Sequence, residues 1–166
     1  MEQIMRNPAR TSSLAALSLM ILVAASVPAS ADLFIRYKGT TSATSYNHVH
    51  VGVLKRESGR RQLKYIAFHL SVTCEDSSTD ERIVVLRYRR LDEKGGFFAD
   101  VPQNVKGTHL KVEGSIGWGG GAGTARYDRA QLTGDGSGAQ LCTTGVLTWS
   151  VDRTGARPYC PNGRPF

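Results

Sequence analysis

The sequence predicts an all-β fold: an antiparallel β-sandwich, or a partly closed barrel, of about eight short strands behind a cleaved leader. Three observations carry this expectation. Apolar residues recur at every second position through most of the chain beyond residue 31, the rhythm of a half-buried strand. Clusters of Gly, Asp and Ser break that rhythm at short intervals, as hairpin connections do. Only one stretch, 124–132, is open to a helical reading, and its strand-and-turn surroundings favour a strand.

The leader comes first. Residues 1–10 carry Glu2 against Arg6 and Arg10, and residues 14–27 are an apolar run. Residues 28–31 read Pro-Ala-Ser-Ala, with small residues where a signal peptidase cuts. The run is shorter than the roughly 20 residues of a membrane span. A secretory signal peptide over 1–31 is therefore expected, with an all-β domain over 32–155 and an irregular Pro-rich tail over 156–166. Removing 31 residues from 166 leaves 135, enough for one domain with a core. No later stretch could span a bilayer as a helix, and no Cys near the cut suggests a lipid anchor. The expected location is extracellular.

The strands follow in order. In 33–38, Leu33, Ile35 and Tyr37 alternate with Phe34, Arg36 and Lys38. In 48–54, Val49, Val51 and Val53 share a face. In 64–74, Ile66, Phe68, Leu70, Val72 and Cys74 oppose Tyr65, His69, Ser71 and Thr73. In 82–90, Val84, Leu86 and Tyr88 fall opposite Ile83, Val85 and Arg87. A short strand is expected at 97–99. In 109–118, Leu110, Val112, Gly114, Ile116 and Trp118 align, and in 145–153 Leu147, Trp149 and Val151 do so. Residues 57–60 and 92–96 read as hairpin turns, 117–123 as a glycine-rich mobile loop and 133–138 as a flexible loop.

Export permits disulfides. Three cysteines, Cys74, Cys142 and Cys160, allow one bridge and leave one thiol over. Cys74 and Cys142 each end a predicted strand, which favours their pairing, with Cys142–Cys160 the alternative that would pin the tail. The leader's loss takes the formal charge from +7 to +6, because Arg6, Arg10 and Glu2 go with it. A basic exported protein is drawn to anionic surfaces, although basic residues also keep β-edges unpaired.

Gly39-Thr-Thr-Ser42, the long strand ending in Cys74, Gly96-Phe97-Phe98, Val112-Glu-Gly-Ser-Ile116 and Cys142-x-Thr-Gly145-x-Leu-Thr-Trp149-Ser form a series over most of the chain beyond the leader. This series resembles small secreted actinobacterial proteins of unknown function. The resemblance implies an all-β fold and a Cys74–Cys142 bridge, and it implies no catalytic residue.

Several constellations invite chemistry. His48 and His50, two apart on a strand, point the same way and can reach one metal ion, a spacing also used by carbonic anhydrases and copper–zinc superoxide dismutases. A third ligand, from His69, His109 or a carboxylate, must come from another strand. With Val49, Val51 and Val53 facing the core, both histidines face water. Trp118 offers a stacking surface for a sugar ring or an apolar partner. Arg60, Arg61 and Lys64 lie in a stretch of five cations around a predicted hairpin, and Arg87, Arg89 and Arg90 add another basic group. The carboxylates of 75–81 lack the order of a calcium loop. Gly134-Asp-Gly-Ser-Gly138 has the wrong order for a serine-protease nucleophile, and the glycines of 117–123 lack the βαβ unit a dinucleotide site requires.

The expected function is thus a secreted, non-enzymatic binding or structural module. Its partner is an anionic or carbohydrate cell-envelope polymer or another secreted protein. No cofactor and no specific nucleic acid are expected. The alternatives are a metal-binding protein or metalloenzyme using His48 and His50, and an extracellular protein inhibitor.

Overall fold

The computed structural model describes residues 31–103, 107–133 and 138–159. The expected leader, Cys160 and most of the 133–138 loop lie outside these residues. Eight strands follow one another: β1 Leu33–Thr41, β2 His48–Lys55, β3 Arg61–Cys74, β4 Thr79–Arg90, β5 Gly96–Pro102, β6 Thr108–Ile116, β7 Gly120–Leu132 and β8 Ala139–Pro158. All pair antiparallel in a single sheet of order β4-β3-β2-β1-β8-β7-β6-β5. Each strand thus pairs with its chain neighbour, except that β4 and β5 form the two edges and β1 pairs with β8.

The alternation read in the sequence explains why one sheet suffices. Every strand buries its apolar set, and these sets meet in one core that includes Tyr37, Phe68, Val84, Phe97, Val112, Tyr127, Cys142 and Trp149. A flat sheet could not bring β3, β5 and β8 together. Here the Trp149 ring lies 6.4 Å from Phe68 and 6.1 Å from Phe97, centroid to centroid. The sheet is curled on itself as a partly closed barrel, the second of the two forms expected. Its interior is filled: Phe68, Leu110 and Ile116 have no exposed surface.

Two devices hold the curl. At one end, β3 and β8 outrun β2 and β1 and pair directly, Thr73 with Thr143 and Cys74 with Cys142. A disulfide joins Cys74 to Cys142 there, so the Cys142–Cys160 alternative is set aside. Along the wall, Gly114 of β6 and Gly123 of β7 are register partners. A Cβ on either would come within 2.5 and 2.8 Å of the Trp149 ring. The indole lies against bare backbone and donates its N–H to Thr124 O at 3.2 Å.

This contact corrects the reading of 117–123 as a mobile loop, because Gly120 onward is strand β7. Residues 124–132 are strand as expected, since Ala125 and Tyr127 point inward against Val112 and Leu110. β8 runs to Pro158, past the expected start of the irregular tail at 156. Its end pairs with Leu33, and Tyr159 N–H bonds Asp32 O at 2.7 Å. Trp118 and Tyr88 depart from their predicted faces: both are about half exposed. β6 ends at Ile116, which frees Trp118 for the turn, and a positive φ at Tyr88 interrupts the alternation of β4. No helix among the described residues is long and apolar enough to cross a membrane.

Candidate functional site

The β2–β3 hairpin, the β4–β5 turn between the two edge strands and the β6–β7 hairpin come to the barrel end opposite the disulfide. The turns form where the sequence predicts them. Arg56 N–H bonds Arg60 O at 2.8 Å in the first, and Asp92 N–H bonds Gly96 O at 2.9 Å in the second. Gly59 and Gly95 supply the left-handed residues these turns require, with φ of 80° and 89°.

Between the β2–β3 hairpin and the β4–β5 turn lies an open groove lined by Arg56, Arg60, Arg61 and Arg90 together with Asp92 and Glu93. The four arginines are not equivalent. Arg61 is partly buried and donates to Ile116 O at 2.9 Å and Glu93 O at 3.2 Å. It ties three turns together, and because both acceptors are carbonyls its charge is not cancelled. Arg56 pairs with Asp32 at 2.5 Å. This pairing and a bond from Glu57 N–H hold the Asp32 carboxyl below the usual aspartate range. Arg60 and Arg90 are exposed, and their guanidinium groups have no hydrogen-bond or ion-pair partner among the described residues.

Trp118 stands at the same end. Arg153 lies 4.3 Å from its ring centroid and Lys55 5.1 Å. The indole therefore serves as a backing for two cations. Behind it, the Tyr37 hydroxyl donates to Gly117 O at 2.9 Å, and burial raises its pKa so that it stays a donor. Lys64 is set on the outer wall, 4.8 Å from the Tyr88 ring and 5.8 Å from that of Tyr159. Of the expected binding residues, Arg60, Arg61 and Trp118 thus come to one end, and Lys64 stands beside them on the wall.

A second cluster occupies the outer face of β2 and β3, nearer the disulfide end. Val49 and Val51 are wholly buried, so His48 and His50 point outward as expected. Val49 pairs with Phe68 and His50 with Ala67, which sets His69 across from His48. The His69 ring is 6.1 Å from His48 and 5.6 Å from His50. Tyr46, with φ of 47°, places its ring 5.2 Å from His69. Burial, then the neighbouring charges of His69, Lys38 and His48, lower the pKa of His50. His109 is elsewhere, 2.9 Å from Asp100.

The acidic 75–81 loop is used locally. Asp76 accepts from Ser78 N–H and Oγ–H and from Gln140, which keeps its pKa low, while Asp80 pairs with Arg82 and Arg129. Lys55, Arg56 and Arg90 were visible only as members of basic runs, and Arg153 carried no signal, because the hairpin that brings each to the groove or the indole is set by the fold. No family model matches the chain, and no curated protein matches it either.

Proposed function

We propose that the protein is a secreted, non-enzymatic binding module that holds an anionic cell-envelope polymer in the arginine groove at its hairpin end. The observation that carries this reading is the pair Arg60 and Arg90. They face one groove from two different turns with their guanidinium groups uncommitted. A guanidinium presents a planar fork that matches phosphate and carboxylate oxygens. Arg61 is fixed between them by two carbonyls, which sets the spacing of the turns before any ligand arrives. The overall positive charge supports encounter with such a polymer. The disulfide and the absence of a membrane-spanning helix among the described residues are compatible with an extracellular setting.

The test is binding of inorganic polyphosphate and of isolated cell envelopes over a range of salt. Arg60→Glu combined with Arg90→Glu should weaken binding and flatten the plot of log affinity against log salt by about one unit per arginine. Lys111→Glu, on β6 and outside the groove lining, should leave both nearly unchanged. Equal losses from both changes would make binding a matter of net charge and overturn the assignment of the groove.

A further inference from the structure

We infer that His48, His50 and His69, on the outer face of β2 and β3, can converge by side-chain rotation on one divalent transition-metal ion of the zinc and copper type. The argument is independent of the arginine groove. Its first link is register. Two histidines at i and i+2 on β2 share a face, and antiparallel pairing brings His69 of β3 across from them.

Its second link is distance. With zinc–nitrogen bonds of about 2.0–2.1 Å in a tetrahedron, imidazole centroids sit about 5 Å apart. The centroids here are 5.6 and 6.1 Å apart. As the side chains lie, no group of three or more His, Cys, Asp or Glu among the described residues closes on a metal point. For the two pairs that include His69 the difference is about 0.5–1 Å, and all three rings stand on the solvent side of the sheet, where side-chain torsions are free to rotate.

The third link is the neighbourhood. Tyr46 is held in the left-handed region that non-glycine residues rarely occupy, with its ring against His69. It limits the directions in which His69 can swing. An all-imidazole set suits zinc, copper and nickel and is poorly suited to calcium or magnesium. Three protein ligands leave a fourth position for water.

The experiment uses the purified protein, disulfide intact and without a polyhistidine tag. It is titrated with Zn²⁺ by calorimetry and followed by NMR of the imidazole rings. One equivalent should bind, shifting the rings of His48, His50 and His69 and leaving that of His109 in place. His69→Ala should lower the affinity by more than the roughly 10–100-fold that loss of a supporting neighbour costs. His109→Ala should change nothing. The three positions are at least partly exposed, and thermal unfolding of His69→Ala checks that the fold is kept. Absence of binding at a tenfold excess of Zn²⁺, or binding unaltered by His69→Ala in the folded protein, would overturn the site.

Discussion

Arginines that look alike in the sequence do different work. Arg61 stood with Arg60 as a candidate binding residue, yet its guanidinium joins the β4–β5 turn and the end of β6 through two carbonyls. Arg61→Ala should therefore cost about 1–2 kcal/mol of stability in urea unfolding, whereas Arg60→Ala should cost under about 0.5 kcal/mol, as exposed substitutions generally do. Acid sensitivity also belongs to single residues. Asp32 and Asp76 both have lowered pKa values in the fold. Their stabilisation is complete above the pKa of an unfolded aspartate, near about 4, and is lost as pH falls through their folded values. Asp76→Asn should flatten the decline in melting temperature below about pH 4. The faces of Ile66, Phe68, Leu70 and Val72 were legible, because alternation alone sets them. Those of Tyr88 and Trp118 were not, because a positive φ and an early strand end are set by the backbone around them.

Among the elements, β6, β7 and β8 show how a glycine-rich stretch becomes a strand. Gly114 and Gly123 are where the Trp149 ring meets the sheet, and the ring leaves no room for a Cβ. Gly123→Ala should destabilise by about 1–3 kcal/mol or more, as overpacking does, with a change in near-ultraviolet dichroism from Trp149. Flexibility was the natural reading of five glycines within 117–123, since sequence carries no mark of an indole arriving from another strand. The same limit applied to the histidines. The shared face of His48 and His50 was legible from strand geometry, but the choice of His69 over His109 depended on the β2–β3 register. Position at the ends of strands favoured the Cys74–Cys142 pair correctly, because long β3 and β8 both outrun their neighbours. The double change Cys74→Ser with Cys142→Ser should cost about 4 kcal/mol relative to the disulfide-bonded protein in urea unfolding, in the chain-entropy account of a loop this long.

The whole molecule is one sheet wrapped around a filled interior, with the β2–β3, β4–β5 and β6–β7 turns at one end and the disulfide near the other. The core side chains are buried against one another, and the arginine groove lies open at the surface. The hairpin end has what an anion needs: fixed spacing, uncommitted guanidinium groups and an open approach. About eight antiparallel strands were within reach of the sequence. The meeting of the β2–β3 hairpin with the β4–β5 turn was not, because it follows from the β3–β4 register, which sets Gln62 beside Arg90 and lets Leu91 N–H bond Arg61 O. The most direct measurement is backbone amide NMR of the protein titrated with inorganic polyphosphate at moderate salt. The proposed function predicts saturable shifts concentrated in residues 56–62 and 90–96. Shifts scattered over all basic surfaces, or centred away from both turns, would contradict it.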